Sequence, residues 1–445
     1  MNSMNRIRTL LHHVNRVSRL FQPLNVVPKD SIPQNEVNSK SHKLMLDVGI
    51  IKQASSGMYN LLPLGLRALD KLHALVDKEM EKIGAQKILM PHLTPSSLWK
   101  KTGRLEEGIQ ELFMLADRHK REYILSPTYE EAITHLISMN SPLSPKTLPL
   151  RLYQISSKWR DEKKPRLGLL RGREFVMKDL YTFDVDSEKA RETYESVCAA
   201  YDSIFQKIGV DFIKVIGHAG LIGGSHSHEY HYLSDVGEDN IATCPSCNYS
   251  ANTEIHSEST CLKCQTHLQH NTAIEVGHTF LLGKKYSQPL NATVSVNGTR
   301  HPLEMGCFGL GLTRILAAAI EKLSTEEELR WPIALAPYRI CIIPPKKGSK
   351  EELAADYAES FYKMINSAGI DAILDDRTEF TIGKRLLEAK RTGYPYIVVI
   401  GKRVIKESPL FEVHDLSKNE LIPFYVSGSN YSRNNNSDRI SVISG

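Results

Sequence analysis

Apolar and polar positions alternate in two regimes along the chain. In the first regime, Leu66, Leu69, Leu72, Val76, Met80 and Ile83 form a stripe at helical spacing. Pro63 suits the first turn of that helix, and Gly84 can close it in a left-handed conformation. Gln86–Met90 then reads as a short strand stopped by Pro91, and residues 92–150 as short helices and loops. Residues 151–183 alternate charged and apolar side chains, predicting a strand, a loop and a strand. Asp186 and Ser187 announce a helix over 188–208. Residues 211–282 are β-rich, and Gly306–Leu323 begins with glycines and continues as an Ala/Leu/Ile helix. Past Trp331–Pro337 the second regime begins: strand 339–344, helix 350–367, strand 371–374, helix 381–392, strand 396–400. That alternation predicts a small, separate α/β domain.

Composition narrows the class without naming a function. The chain has 445 residues, is 41% hydrophobic and 24% charged, and carries seven Cys. This excludes disordered, collagenous and disulfide-scaffold chains. No apolar run is long enough to span a membrane, so no membrane partner is expected. The net charge of +5 is local, because Arg6, Arg8, Arg16, Arg19 and Lys29 precede the first acid, Asp30. The rest is balanced, so any nucleic acid must be held by local patches. Residues 1–28, basic and without acids, with Leu10, Leu11, Val14, Val17 and Leu20 near helical spacing, read as a mitochondrial transit peptide outside the fold. The plain alternative is a basic tail or an arm that touches RNA. Residues 428–445, rich in Ser and Asn, read as a flexible tail.

Two segments carry candidate chemistry. Lys158-Trp-Arg-Asp-Glu162 puts Arg160 and Glu162 on one face of a predicted strand, and Arg171–Phe175 lies on the return. One face thus offers a guanidinium for phosphate, a carboxylate for an amino group and an aromatic plate. An ion-paired hairpin would look the same. The second segment, Glu304–Arg314, spaces Gly306, Gly309 and Gly311 before a helix whose first turn holds Arg314, a good anion site. It lacks both the dinucleotide fingerprint and the phosphate-loop lysine.

Together these segments resemble motifs 2 and 3 of the class II aminoacyl-tRNA synthetases, and Gly84–Pro91 resembles the dimer-forming motif 1. The ordered set is similar to the prolyl-tRNA synthetases of bacterial and organellar type. It comprises Ser126–Glu130, Arg171–Asp179, Gly223–Glu229, Ile274–Phe280 and Leu374–Arg377. The resemblance implies a catalytic domain over 39–332, with a mainly antiparallel sheet flanked by helices, and a mixed α/β anticodon-binding domain over 337–427. It implies a homodimer in the mitochondrial matrix that joins proline to tRNA(Pro) through prolyl-adenylate, using ATP and Mg2+. Arg160 would hold the α-phosphate and Arg314 the γ-phosphate. Glu162 would accept from the adenine amino group, with Phe175 and Arg314 sandwiching the ring, and Arg171 would belong to the ATP site. Glu304 would be a magnesium ligand. Thr128 and Glu130, taken as one strand face, would contact the proline nitrogen, with Glu229, His278 and Cys307 around the ring.

Other residues remain open between readings. Cys244, Cys247, Cys261 and Cys264 form two C-x2-C pairs, close to the spacing of a structural zinc ribbon within 244–264; free thiols or redox pairs are the alternative. His226, His228 and His231 invite a metal reading, but strand alternation separates His231 from the others. Lys384, Arg385, Lys390 and Arg391 share a predicted helix near Arg377, and the resemblance puts anticodon reading there, through Arg377 and Lys384. The segment between Asp179 and Ile274 leaves no room for the editing domain that many bacterial relatives insert. Two rival readings are a sister class II enzyme for threonine, glycine or histidine, and a catalytically dead, nucleic-acid-binding accessory subunit.

Overall fold

The computed structural model describes residues 14–24, 39–106, 111–218, 220, 222–256, 258–406 and 410–425. Helix α1 (Lys40–Asp47) opens on Ser39, whose hydroxyl accepts from the His42 amide. A hairpin, β1 (Ile51–Ser55) and β2 (Met58–Leu61), leads into α2 (Pro63–Lys82), with the proline at its first position. Leu69, Leu72, Val76 and Met80 of the expected stripe are buried, whereas Leu66 faces outward. Gly84 ends the turn at φ +68°. Only β3 (Gln86–Lys87) of the expected strand pairs, in parallel with the strand at Leu150–Trp159. The stretch expected to hold only short helices and loops also forms a three-stranded sheet. Its elements are β4 (Leu93–Pro95), α3 (Ser96–Thr102), β5 (Phe113–Ala116), β6 (Glu122–Leu125) and α4 (Glu130–Ser138). Strands of three or four residues carry too few alternations to register as a period.

The central sheet has nine strands. Its chain order is β7 (Leu150–Trp159), β8 (Glu174–Asp184), α5 (Ser187–Ile208), β9 (Ile213–Ile216), β10 (His226–Leu233), β11 (Asp239–Thr243), β12 (Ser250–Asn252) and β13 (Gln269–Gly283). The hairpin β14 (Thr293–Val296) and β15 (Thr299–Pro302) follows, then β16 (Glu304–Gly311) and α6 (Leu312–Leu323). In space the sheet runs β10-β9-β12-β11-β13-β16-β8-β7-β3, antiparallel except for β3–β7 and β9–β12. The side chain of Asp186 caps α5 by accepting from the Lys189 amide. Helix α2 packs against both α5 and α6, and α5 and α6 lie on β8, β13 and β16. α6 is buried almost all round, which is why it reads as apolar on every face.

The C-terminal unit contains β17 (Ile340–Ile343), α7 (Ala355–Ser367), β18 (Ala372–Leu374), α8 (Ile382–Thr392), β19 (Tyr396–Val399), β20 (Leu410–Asp415) and β21 (Glu420–Tyr425). Its mixed sheet runs β18-β17-β19-β20-β21. This domain is not detached. Trp331, Tyr338, Cys341 and Ile397 share one core with α6, and the Trp331 indole N–H donates to the Thr392 carbonyl at 3.0 Å. Residues 1–28 were expected to stand apart from the fold, and Val14–Leu24 do not: they lie along the C-terminal domain, with Asn15 O accepting from Leu374 N at 2.9 Å. The rest of that leader and the tail at 428–445 lie outside the described residues.

Candidate active site

Two adjoining cavities, of about 230 and 350 Å3, open between β7, β8, β13, β16 and the start of α6. Arg160, Phe175, Glu275 and Arg314 line both, so they form one cleft. Arg160 does not sit on a strand: β7 ends at Trp159, and Arg160 and Glu162 follow in the turn. The strand-face argument therefore fails for this pair, yet both reach the first cavity, because the Arg160 amide donates to Arg173 O at 2.9 Å and folds the turn back over β8. The Arg160 guanidinium lies 5.2 Å from the Phe175 ring centroid. Among the described residues it has no carboxylate within 4.0 Å. Burial, and then the facing Arg314, pull it below the ordinary arginine range. Two cations thus face one cleft, with the Glu275 carboxylate 3.9 Å from Arg314, an arrangement that can take up a polyanion.

Arg314 is aimed by backbone: its Nε donates to Leu170 O at 2.9 Å and Nη1 to Glu275 O at 3.1 Å. Glu162 accepts from Arg171 Nε at 2.9 Å, and Arg171 also pairs with Glu238. Burial would raise the Glu162 carboxyl, but the Arg171 bond prevails and lowers it. Glu304, expected as a metal ligand, lies at the opposite end of β16 from Arg314, pairs across the sheet with Asp184 and sits 3.4 Å from Lys284. It takes no part in the cleft, because an extended strand carries its two ends far apart. The acids that do line the first cavity include Glu111, Asp239 and Glu275, none of which the motif reading singled out. Burial works to raise Glu275, but the His278 hydrogen bond and then Arg314 hold it down to about 2. Asp239 is pushed up to about 6, by burial and then by Glu275.

The second cavity has an apolar wall of Met177, Ile222 and Phe280 and polar groups from Thr128, Asp179 and Cys307. Gly309 and Gly311 line it as expected, whereas a Cβ on Gly306 would meet Thr182 Oγ1 and the Phe308 ring at 2.7 Å, so that glycine serves strand packing. Thr128 precedes a helix and Glu130 begins it, so the expected shared strand face is absent. The helix start joins them differently: Thr128 Oγ1 donates to the Glu130 carboxylate at 2.7 Å, and Cys307 Sγ lies 3.1 Å from it. Glu130 is fully buried beneath both, ion-paired to buried Arg104 at 3.0 Å. Arg104 also holds Glu131 at 3.1 Å. Burial drives the Cys307 thiol well above its ordinary range, keeping it neutral. His278 stacks on Phe280 with centroids 3.9 Å apart, between Ser227 Oγ at 2.6 Å and Glu275 Oε1 at 2.9 Å. Glu229 lies behind it, bonded to His231 at 2.9 Å and Asn252 at 3.0 Å. It supports the wall and does not line the cavity. Arg104 and Glu275 escaped notice because their partners are remote in sequence or displaced from strand alternation.

Away from the cleft, the sulfurs of Cys244, Cys247, Cys261 and Cys264 all lie within 4.8 Å of one another. They form the single such cluster of His, Cys, Asp or Glu among the described residues. The histidines divide as alternation predicts: His226 and His228 sit ring to ring at 4.7 Å, and His231 turns to Glu229. In the C-terminal domain, Arg385 is fully buried, donating to Asp375 O and Pro344 O, so it cannot read a base. Arg377 is ion-paired to Asp375 and Glu388 at 2.7 Å each, and Lys384 Nζ lies 3.7 Å from the Phe380 ring centroid.

Comparison with known proteins gives the family and the fold. The profile of the class II tRNA synthetase core domain (G, H, P, S and T) matches residues 113–323, and that of an anticodon binding domain matches 339–426. Fold and site together define a class II aminoacyl-tRNA synthetase. The chain is 49% identical to a probable mitochondrial proline–tRNA ligase of Rattus norvegicus, over 91% of this chain and 88% of the relative. It is 50% identical to the Homo sapiens protein of the same name, over 89% and 86%. It therefore belongs to the proline–tRNA ligase family. Prolyl-tRNA synthetase of Giardia lamblia, solved with prolyl-adenylate, shares the fold with a TM-score of 0.74 at 18% identity, over 88% of this chain and 75% of that one. No helix among the described residues is long and apolar enough to cross a membrane.

Proposed function

We propose that the cleft binds ATP and proline side by side and that its guanidinium pair drives adenylate formation. The observation that carries this reading is the convergence of Arg160 and Arg314 on one cleft, where among the described residues only Arg314 has a carboxylate within 4.0 Å, that of Glu275 at 3.9 Å. The proline carboxylate attacks the α-phosphorus and pyrophosphate leaves; the terminal ribose hydroxyl of tRNA(Pro) then attacks the prolyl carbonyl and AMP leaves. Arg160 stabilises charge on the α-phosphate, and Arg314 holds the outer phosphates. Glu162, fixed by Arg171, accepts from the adenine amino group, and Phe175 supports the ring. Such a reaction needs positioning and charge rather than a covalent residue. Thr128, its proton directed into Glu130, turns its lone pairs toward the secondary ammonium of proline. Met177 and Phe280 enclose the ring, and His278 and Cys307 bound it.

Magnesium would accompany the triphosphate, with ionised Glu275 and neighbouring Asp239 as its protein oxygens. One or two carboxylates plus phosphate are its usual company. The four cysteines suit zinc: Zn–S bonds of about 2.3 Å set tetrahedral sulfurs about 3.8 Å apart, compatible with spacings of 3.4 and 3.6 Å here. Four thiolates leave no open position, so the ion would be structural. Leu89 and Leu93, just after β3, and Met114 and Leu115 on β5 are 76%, 46%, 46% and 44% exposed, which supports a homodimer through this part of the molecule. The basic N-terminus and the mitochondrial names of the relatives support residence in the matrix. The anticodon stem-loop would meet the surface around Arg377 and Lys384. The deciding experiment is pyrophosphate exchange run separately with proline, alanine, threonine and histidine; exchange driven best by another amino acid would refute the reading. Arg160→Ala should lower proline-dependent exchange by about 100- to 1,000-fold with the dimer intact.

A further inference from the structure

The segment Val14–Leu24 is built into the folded chain at both ends. Arg16 bridges in parallel to Leu374 on β18, the edge strand of the C-terminal sheet. Asn15 joins that edge to α7: its amide N–H and side chain donate to Tyr362 Oη at 3.0 and 3.1 Å, and its carbonyl accepts from Leu374 N. Val14 packs on the C-terminal core, while Val17 and Leu20 pack on the core shared with the main domain. Further on, Gln22 Nε2 donates to Val48 O in the main domain at 2.8 Å and to Thr392 Oγ1 on α8 at 3.2 Å. Gly49 accommodates the crossing, since a Cβ there would lie 2.8 Å from Pro23 O. The segment therefore ties the two domains together.

Two of its residues, Arg16 and Ser18, reach Asp376. Ser18 N and Oγ donate to the two oxygens of Asp376 at 3.0 and 2.7 Å. Arg16 pairs with Glu359 at 2.6 Å and lies 3.8 Å from Asp376. Asp376 immediately precedes Arg377. A bare carboxylate at that turn would repel an approaching phosphate backbone; Arg16 and Ser18 neutralise and immobilise it.

We propose that Val14–Leu24 is a permanent strap of the working enzyme, retained when any leader is removed, and that it positions the Asp375–Arg377 turn for tRNA. The inference rests on reading the C-terminal domain as the anticodon reader. It makes the segment a positioning element with no part in adenylate formation. Targeting information would then lie in residues 1–13, where Arg6, Arg8, Leu10 and Leu11 already give a basic, apolar pattern.

Two measurements on the full chain test it. The mature protein recovered from mitochondria should begin at or before Val14; a mature N-terminus anywhere beyond Val14 overturns the proposal. In the double variant Arg16→Ala/Ser18→Ala, KM for tRNA(Pro) should rise about five- to tenfold, the scale of losing such half-exposed pairs together. The kcat and the proline-dependent pyrophosphate exchange should stay within about twofold, and Arg16→Lys/Ser18→Thr should restore the KM. An unchanged KM, or an equal loss in exchange and aminoacylation, overturns it. Wild-type exchange with proline, run alongside, reports on the underlying enzymatic reading separately.

Discussion

The arginine beneath the second cavity offers the sharpest test of how the site is held. Arg104 is buried, lies 4.4 Å from the Trp99 ring centroid and is bonded to two buried carboxylates, Glu130 and Glu131. Replacing it with Met keeps much of the volume and removes the charge. Breaking a buried ion pair from one side costs about 3–5 kcal/mol, because the partners remain buried and unpaired. The variant can relieve part of this by protonating the carboxylates, and that relief is itself diagnostic. Burial raises both carboxyls; Arg104 first, then the hydrogen bonds from Thr128, Cys307 and its own backbone, hold Glu130 below its ordinary value. Without Arg104, Glu130 takes a proton and Thr128 loses a charged acceptor. A hydrogen bond to a charged group contributes about 1.5–3 kcal/mol, so KM for proline should rise about 10- to 150-fold. The assays are chemical unfolding and proline-dependent pyrophosphate exchange on wild type, Arg104→Met and the triple variant Arg104→Met/Glu130→Gln/Glu131→Gln. The triple variant should recover most of the stability, since the buried charges are gone, and none of the proline affinity. A single variant as stable as wild type, or a triple variant with normal KM for proline, would refute the account.

Three further outcomes follow from the same structure. Glu275 titrates near 2 when folded against about 4.5 when unfolded, so its contribution to stability is complete above about pH 4.5 and lost as pH falls toward 2; unfolding curves of wild type and Glu275→Gln should converge over that window, and a constant difference would show that Glu275 is not held ionised. Elemental analysis should find one zinc per chain, and Cys244→Ser should release it and lower Tm by several degrees; a chain purified without metal and equally stable would make these four thiols ordinary side chains. Between Asp179 and Ile274 the described residues form α5, β9–β12 and their connections, with no added domain, so the pure protein should not deacylate alanyl-tRNA, and measurable hydrolysis would show an editing activity elsewhere in the chain.

Legibility varied with how local the cause was. Helices α2 and α5 were readable because their signals lie within one or two turns: Pro63 at a start, Asp186 as a cap and a stripe between. Strands β20 and β21 were missed, although Leu410–Asp415 alternates buried and more exposed positions, because nothing local says which neighbour they pair with. Arg385 was counted as a surface cation from helical spacing, but α8 packs that side onto β17 and β19, where two carbonyls bind the guanidinium. Val14–Leu24 carried the composition of a discarded leader, and only its partners on α7, β18 and α8 make it structure.

What the string of residues determined alone was the kind of chemistry: two arginines beside glycines and an aromatic, four cysteines in paired knuckles, and strands and helices in a workable order. Those depend on side-chain type and on spacings of a few residues, which the chain carries wherever it goes. What only the folded molecule decided was which charges meet. Glu304 left the cleft and Glu275 entered it, Arg104 came to rest under Glu130, and Ser18 reached Asp376. Electrostatic energy depends on distance in space and on exclusion of water, and neither quantity exists until remote segments have packed.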